Sequence, residues 1–327
     1  MPDGILNLNK PRDLTSHDVV DRVRALAGTR RVGHAGTLDP LATGVLLVCI
    51  GRATRVAEYL MAGRKVYRAR VRLGVATDTY DADGQVVAEA PVELGRAQVE
   101  AALAHFRGAI TQVPPVYSAI KRDGTPLHRL IRQGVQIERS SLKARQVEIF
   151  RLALTDWASP EFTLEVTCSP GTYVRALAHD LGQTLGCGAH LTQLTRLASG
   201  AFRLEDSLTL AELAQSVSEG RWHDSLHPID AALARFPALH LDADAARRLC
   251  SGQAVAAPPG GRAPGKDPGA GLARAYGPGG LFLALVAFDP ATNVYRPRKV
   301  FGDCGVPGPG PVEKAAEGTV EGPERVS

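Results

Sequence analysis

The feature that most constrains this chain is a glycine-rich segment that leads directly into an apolar run. Residues 33–44, with the sequence GHAGTLDPLATG, contain three glycines, one acid and one histidine, a composition that predicts a loop. Residues 45–50 are uninterruptedly apolar and predict a buried strand. Asp39 is therefore expected on a rigid loop at the edge of a sheet, where a reactive side chain can face a cleft. Taken alone, the Asp39–Pro40 pair is also typical of an ordinary surface turn.

A second constraint is the alternation of apolar and basic side chains across residues 66–73. This period of two predicts a half-buried strand. Arg68, Arg70 and Arg72 fall on one face, and Tyr67 falls on the opposite, apolar face. By itself the pattern predicts a core tyrosine and a solvated face of arginines.

Residues 78–84, with the sequence DTYDADG, resemble a calcium-binding loop in composition only. The spacing of an EF-hand would place Thr79 at its first position and Ala90 at its closing glutamate position. Neither residue type fits, so the segment predicts a polar hairpin turn.

The sequence also predicts helices and a basic arm. Thr15 and Asp18 have the spacing of a capping box, and the helix they begin is expected to end at Gly28. The pattern of residues 97–106 predicts another helix. Residues 114–145 are rich in basic side chains and are interpreted as a protruding arm that can follow a phosphate backbone. A solvated basic helix is the alternative interpretation.

Residues 162–168 form another alternating segment and predict a strand. The strand leads through a turn into a helix whose first turn contains Tyr173 and Arg175, so an aromatic ring and a cation are expected at one end of the sheet. Taken alone, an arginine such as Arg175 is more often a residue of a structural salt bridge. Residues 186–197 predict a loop followed by an apolar ridge.

Length and composition suggest a globular protein of two domains. The chain has 327 residues, of which 44% are hydrophobic and 22% charged, and its net charge is only +4. The five cysteines lack the paired spacing that is typical of a zinc site. The sequence shows neither a signal peptide nor an apolar stretch of membrane-spanning length, so the cytoplasm is the expected compartment.

Four segments, in order, resemble the motifs of the TruB-type tRNA pseudouridine synthases. The segment 33–44 is similar to the catalytic motif of that family, and residues 66–68, 170–175 and 186–191 are similar to its companion motifs. The resemblance covers most of residues 4–225. It implies an α+β fold with a mixed, largely antiparallel central sheet and flanking helices, known as the pseudouridine synthase fold.

The C-terminal part has a different composition and resembles a small β-rich, PUA-like RNA-binding domain. A Pro/Gly-rich segment at 258–271 looks like an insertion in it. The mixture of proline, glycine and glutamate near the C-terminus predicts disorder. The expected domains are a catalytic domain at 1–230 with its arm at about 114–145, a PUA-like domain at 236–303, and a disordered tail at 304–327.

The resemblance implies a reaction in which uridine 55 of the tRNA T-loop becomes pseudouridine. The base is flipped out, its C1′–N1 bond breaks, and the ring is reattached through C5. Asp39 would be the nucleophile or the acid/base group at the sugar, and Arg175 would pair with it and orient it. Tyr67 would pack on the uracil and handle a proton.

The resemblance also implies a set of substrate contacts. Tyr173 and Leu194 would line the uracil pocket together with Tyr67, and His34 would contact the RNA where the nucleotide leaves its loop. Neither a metal nor a cofactor is implied, and the expected partner is the T-arm of tRNA, bound by a monomer. Two alternatives stay open: a guide-RNA-dependent synthase of the dyskerin type, and an RNA-binding or tRNA-folding chaperone.

Overall fold

The computed structural model describes residues 3–118, 120–257 and 271–302. The chain divides into two compact units, Met1–Leu233 and Ala234–Ser327. The predicted tail at 304–327 and all but one residue of the Pro/Gly-rich segment at 258–271 lie outside the described residues.

The first unit is built on one large sheet with helices packed against it. Its strands are β1 (Gly4–Lys10), β2 (Val32–His34), β3 (Thr43–Ile50), β4 (Lys65–Leu73), β5 (Val75–Thr77), β6 (Val86–Glu89), β7 (Gly108–Gln112), β8 (Lys121–Arg122), β9 (Thr125–Pro126), β10 (Arg145–Ala158), β11 (Glu161–Cys168), β12 (Ala189–Ser199) and β13 (Phe202–Arg203). Its α-helices are α1 (Ser16–Ala27), α2 (Ala57–Met61), α3 (Arg96–Leu103), α4 (Leu127–Arg132), α5 (Val174–Thr184) and α6 (Leu210–Ser218). Its 3₁₀ segments are Gly51–Val56, Ala104–Phe106, Arg139–Ser141, Trp222–Ser225 and Ile229–Leu233.

The large sheet is mixed and mostly antiparallel. Its strands run in the order β1, β3, β12, β4, β11, β10, β7, with β2 added to β3 and β13 added to β12. In the part of the chain that the structure describes, β3 and β12 pair in parallel, and the other neighbouring strands are antiparallel. The predicted α+β architecture with a largely antiparallel central sheet is therefore confirmed.

Strand β4 has the two faces that its sequence predicts. Tyr67 is buried with the apolar residues of the strand, while Arg68, Arg70 and Arg72 are exposed. Strand β11 pairs with β4 along its whole length and alternates in the same way. The tyrosine therefore points to the side of the sheet that carries the core.

Strand β12 overturns one expectation. Residues 186–197 were expected to form a loop and an apolar ridge, yet β12 lies inside the sheet, paired with both β3 and β4. The sequence concealed this strand because an inward position holds Arg196, a charged side chain that is only 1% exposed. This charged residue interrupts the apolar alternation of an ordinary strand. It is tolerated there because main-chain oxygens accept hydrogen bonds from its guanidinium group.

The helices begin and end close to the predicted residues. The Thr15 hydroxyl accepts from the Asp18 nitrogen, and the Asp18 carboxylate accepts from the Thr15 nitrogen, which confirms the capping box of α1. Gly28 ends this helix with a left-handed φ of 61°. The helix predicted over 97–106 is confirmed as α3 and the 3₁₀ turn that follows it.

The polar segment at 78–84 connects β5 and β6 as the predicted hairpin turn. It is not a solvated loop throughout, because Asp81 is only 4% exposed. The main chain at Asp81 bridges to Leu191 of β12, and the Thr77 hydroxyl donates to the Asp81 oxygen at 2.8 Å. The turn is thereby held against the middle of the large sheet.

The second unit is a smaller sheet covered by one described helix. Its core packs Leu249 of that helix against Ala275, Leu283 and Val286 of the sheet. The strands run in the order β14, β16, β17, β18, β15. Their bounds, with that of the helix, are β14 (Ala238–His240), α7 (Ala243–Cys250), β15 (Val255–Ala256), β16 (Leu272–Tyr276), β17 (Phe282–Asp289) and β18 (Val294–Val300).

Candidate active site

The loop that carries Asp39 connects β2 to β3 and is fixed by the N-terminal segment. Ser16, the first residue of α1, accepts a hydrogen bond from the Leu38 nitrogen at 2.8 Å and donates to the Leu38 oxygen at 3.0 Å. Lys10 donates from Nζ to the Pro40 oxygen at 3.2 Å. The residues on both sides of Asp39 are therefore held by buried side chains, as a rigid loop requires.

Asp39 faces Arg175, which lies in the first turn of α5. The distance between Asp39 Oδ2 and Arg175 Nε is 2.9 Å, and the arginine side chain is 7% exposed while the aspartate side chain is 39% exposed. The Nε–H group is not aligned for a hydrogen bond to any described acceptor, so the contact is an ion pair. The pair fixes one side of the carboxylate and leaves the group partly open to solvent.

Arg175 also joins two other segments at this point, the turn at 78–84 and the start of the arm. Its Nη1 donates to Asp81 Oδ2 at 3.1 Å and to the Thr79 oxygen at 2.9 Å, and its Nη2 donates to the Tyr117 oxygen at 3.0 Å. Asp81 receives a further hydrogen bond from the Thr79 hydroxyl at 2.5 Å. Sequence reasoning placed Asp81 in a polar hairpin turn and missed this role, because nothing local distinguishes it from its acidic neighbours.

Tyr67 lies on β4 beside the ion pair and is 9% exposed. In the sheet it is paired with Arg196 of β12 on one side and with Val166 of β11 on the other. Burial raises the pKa of the Tyr67 phenol, and the positive charge of Arg196 opposes that rise.

A cavity of about 290 Å³ brings five of the six candidate residues together. The sixth, His34, is not among its lining residues. Met61, Lys65 and Arg196 also line the cavity, so its wall combines apolar surface with buried cations. The five candidates at the cavity are Asp39, Tyr67, Tyr173, Arg175 and Leu194.

Tyr173 and Leu194 reach this cavity from different elements, Tyr173 from the start of α5 and Leu194 from β12. Tyr173 is the N-cap of α5, and Gln112 brackets its main chain by accepting from its nitrogen at 2.8 Å and donating to its oxygen at 3.0 Å. Burial raises the pKa of the Tyr173 phenol. Leu194 is an inward residue of β12 and is 7% exposed.

His34 is the last residue of β2 and pairs with Val48. Burial lowers the pKa of its imidazole, and the positive charges of His17 and Arg196 lower it further. Its Nδ1 is buried and has no hydrogen-bond partner among the described residues. The contact with RNA expected for His34 stays a prediction.

Sequence reasoning missed two buried cations at the cavity, Lys65 and Arg196. Lys65 donates from Nζ to the oxygens of Met61 at 2.5 Å and Gly63 at 2.6 Å, and burial lowers its pKa to about 8. Lys65 occupies an inward position of an alternating strand, where an apolar residue is expected. A basic residue at an inward position of a strand was the signal in the sequence that could have identified Lys65 as a residue of the site.

The site offers a carboxylate, a guanidinium group and phenols. Among the described residues, no three His, Cys, Asp or Glu side chains lie together in a way that could hold a metal ion.

None of the helices described here is long and apolar enough to cross a membrane.

Two family models match consecutive parts of the chain. Residues 24–174 match the N-terminal domain of the TruB family pseudouridylate synthases, and residues 175–234 match the tRNA pseudouridylate synthase B C-terminal domain. The two matches are contiguous and meet at Arg175. The chain belongs to the TruB family of pseudouridylate synthases.

Individual relatives are similar over most of their length. The tRNA pseudouridine synthase B of Burkholderia lata is 49% identical over 253 residues, which cover 77% of this chain and 77% of that protein. The tRNA pseudouridine synthase B of Cupriavidus metallidurans is 46% identical over 286 residues, which cover 86% of this chain and 89% of that protein.

Solved structures share the fold at lower identity. The "Structure of H/ACA RNP bound to a substrate RNA containing 2'-deoxyuridine" aligns with a TM-score of 0.70 at 23% identity, over 92% of this chain and 86% of that one. The "Crystal Structure of a Cbf5-Nop10-Gar1 Complex" aligns with a TM-score of 0.70 at 25% identity, over 91% of this chain and 84% of that one.

Proposed function

We propose that this protein isomerises a uridine of tRNA to pseudouridine, and that the uridine is position 55 in the T-loop. The observation that carries the proposal is the half-exposed Asp39 carboxylate, which faces a cavity and lies 2.9 Å from the buried Arg175. The relatives named tRNA pseudouridine synthase B support tRNA as the substrate.

In the proposed reaction Asp39 acts at the sugar. The C1′–N1 bond breaks, the uracil turns, and a C5–C1′ bond forms while the C5 hydrogen leaves as a proton and N1 gains one. The atoms and electrons balance without an oxidant or a reductant. Arg175 holds the direction of the carboxylate, because a guanidinium group that is itself hydrogen-bonded to Asp81 and two main-chain oxygens cannot swing away.

The target base must first leave its stack, at a cost of a few kcal/mol. Stacking of a base on an aromatic ring is worth roughly 1–3 kcal/mol, so Tyr67 and Tyr173 can offset that cost. The pKa of a tyrosine lies well above physiological pH, and burial raises that of Tyr67 further, so its neutral phenol can donate a hydrogen bond. Leu194 supplies an apolar wall, and His34 contacts the RNA outside the cavity.

We assign RNA binding to two further regions. The arm at about 114–145 carries exposed Lys121 and Arg122, which suit the phosphates of the T-arm. The second unit is proposed to be a PUA-like domain, with exposed Arg296 and Arg298 on β18 available to a phosphate backbone. We propose that the protein acts as a monomer, in the cytoplasm, without a metal.

The second candidate function is guide-RNA-dependent modification, because solved structures that share the fold include an H/ACA RNP. The relatives at 46–49% identity are named for tRNA, which favours the stand-alone reaction. Activity on a bare tRNA transcript, without guide RNA or accessory protein, separates the two functions.

The test follows tritium release from a tRNA transcript labelled at C5 of uridine. Wild-type protein is expected to release the label, since reattachment through C5 expels that hydrogen. Asp39→Asn is expected to release none while it still folds and binds the transcript. Asp21→Asn is the matched control, because Asp21 is an exposed aspartate of α1 that is 58% accessible at its side chain.

A transcript with cytidine in place of uridine at position 55 tests the position of the modified base. Tritium release from this transcript is expected to be lost. Release that persists from this transcript would contradict the assignment of uridine 55. No release by the wild type from any labelled tRNA would overturn the proposed function. An Asp39→Asn variant that still speeds tRNA folding would instead add an RNA-folding role.

A further inference from the structure

Arg196 is the most deeply buried charged side chain at the cavity that the proposed reaction leaves without a role. It is 1% exposed and lies on β12, between the strand that carries Tyr67 and the strand that follows the Asp39 loop. Its Nε donates to the Val45 oxygen at 2.6 Å and its Nη2 to the Gly36 oxygen at 3.0 Å. Its Nη1 makes a longer contact of 3.4 Å with the Thr37 oxygen.

These acceptors lie on both sides of Asp39 in the chain. Gly36 and Thr37 belong to the loop before the aspartate, and Val45 belongs to β3 after it. One planar guanidinium group therefore sets the separation between the two ends of the loop. A lysine ammonium group, which is a compact point charge, cannot reach the same spread of acceptors.

The main chain of Arg196 fixes the same loop from a second direction. Gly44, the residue before Val45, has a φ of +99°, and a Cβ placed on it would lie 2.3 Å from the Arg196 oxygen. Glycine is required there because a side chain would be strained at that φ and would meet the main chain of Arg196, which lies opposite Gly44 in the sheet. The side chain and the main chain of one residue thus hold the loop at both ends.

Stability alone does not account for an arginine at this position. Burying a guanidinium group costs several kcal/mol of desolvation, and replacing buried charges by apolar side chains of similar volume is often neutral or stabilising. A methionine could occupy the same space on the inward face of β12. What the arginine adds is a fixed geometry for the acceptors around Asp39.

We propose that Arg196 is a positioning residue for the pseudouridine synthase reaction, holding the Asp39 loop at a fixed distance and angle from Tyr67. The inference rests on the proposed function, since the geometry matters only if Asp39 and Tyr67 act on one substrate. Arg196 is paired with Tyr67 in the sheet and with Gly44 across β3, so it is common to both. It acts through these residues and not on the RNA.

The test compares Arg196→Met and Arg196→Lys with the wild type in single-turnover tritium release, with protein in excess over tRNA. The rate for Arg196→Met is expected to fall roughly 100-fold, the effect of a displacement of about 1 Å in a catalytic group. Arg196→Lys keeps the charge and is expected to recover part of the rate, to within about 10-fold of the wild type. The affinity for tRNA, from filter binding, is expected to stay within about threefold for both.

Arg72→Met is the matched control. Arg72 lies on β4 next to β12, opposite His190, but on the exposed face of the sheet. Its rate and affinity are expected to equal those of the wild type. Tryptophan fluorescence gives the folded fraction of each variant, because Trp157 and Trp222 both lie in the first unit.

Amide hydrogen exchange of the peptide around 35–44 supplies a readout that does not depend on activity. Faster exchange in Arg196→Met and Arg196→Lys, at an unchanged folded fraction, is expected. A wild-type rate in folded Arg196→Lys, or unchanged loop exchange in it, would overturn the inference even if Arg196→Met failed to fold. A wild type without tritium release would overturn the proposed function and the positioning role with it, and the loop exchange would still show whether Arg196 holds the loop.

Discussion

The Asp39 loop and the basic arm, which contains β8, β9 and α4, both reach the cavity, yet they are held in different ways. Between residues 35 and 44, half of the residues are buried, including Leu38 at 4% and Leu41 at 3% exposure. Among the described residues of the arm at about 114–145, the buried ones are Pro114, Pro115, Ser118 and Leu127.

The side chains that anchor the Asp39 loop are also more buried than those of the main ion pair that anchors the arm. Ser16, Lys10 and Arg196 tie the loop from positions that are 3% exposed or less. Apart from the Tyr117 oxygen, which accepts from Arg175, the arm is tied by Arg139, which pairs with Asp180 at 2.7 Å while both side chains are nearly 30% exposed. Such a surface pair contributes at most about 1 kcal/mol. The difference suits the proposed roles, because a catalytic carboxylate needs a fixed geometry whereas an arm that follows RNA needs one that can adjust.

The largest expected effect comes from breaking the buried network beneath the loop. Arg175→Met leaves Asp81, 6% exposed at its side chain, as a buried carboxylate without its cation. We expect the first unit to lose about 3–5 kcal/mol of its free energy of unfolding, together with its activity. Urea unfolding followed by tryptophan fluorescence measures the loss.

The double variant Arg175→Met with Asp81→Asn is the control for that result. It removes the unpaired carboxylate, so part of the lost stability is expected to return while activity stays absent. A single Arg175→Met variant as stable as the wild type would show that Asp81 is solvated in solution, and the contrast between loop and arm would weaken.

The next effect compares two glycines, one from each segment. Gly44→Ala places a Cβ against the main chain of Arg196, whereas Gly134→Ala in the arm, at a φ of +85°, meets nothing within 4 Å. Gly134→Ala is expected to cost about 1–2 kcal/mol from its left-handed backbone alone. Gly44→Ala adds overpacking and is expected to cost about 3 kcal/mol or more.

Both glycine variants are measured by urea unfolding and by single-turnover tritium release. Gly44→Ala is expected to slow the reaction in its folded fraction, because the loop must move away from β12. Equal costs for the two variants would mean that the loop yields as easily as the arm does.

The smallest effect on the fold, and a selective effect on binding, is expected from the charges of the arm. Lys121→Ala with Arg122→Ala removes exposed cations and should leave stability and the single-turnover rate at saturating tRNA unchanged. Affinity for tRNA is expected to fall, and the slope of its logarithm against log salt is expected to decrease by about 1 for each phosphate that the variant no longer neutralises. Filter binding at several salt concentrations measures both.

Arg96→Ala is the control for the arm, since it removes one exposed charge from α3. Its salt slope is expected to match that of the wild type. A reduced rate at saturating tRNA in the arm variant would indicate that the arm also orders the cavity, through the Tyr117 oxygen that accepts from Arg175.

Much of the fold was readable from local patterns. The alternation in β4 predicted an inward Tyr67, and the spacing of Thr15 and Asp18 predicted the start of α1. Strand β12 was not readable, because Arg196 interrupts its apolar face. Asp81 was likewise hidden, since its sequence neighbours are those of any polar turn.

The sequence by itself determined the class of the elements, the loop that carries Asp39, and the resemblance that identified the family. These depend on glycine conformation, on residue periodicity and on motifs that each occupy a few consecutive residues. Only the tertiary structure decided that Arg175 contacts Asp39 and Asp81 together, and that Arg196 reaches both ends of the loop. A buried cation becomes tolerable only when oxygens from distant segments converge on it, and no local pattern in a chain records that convergence.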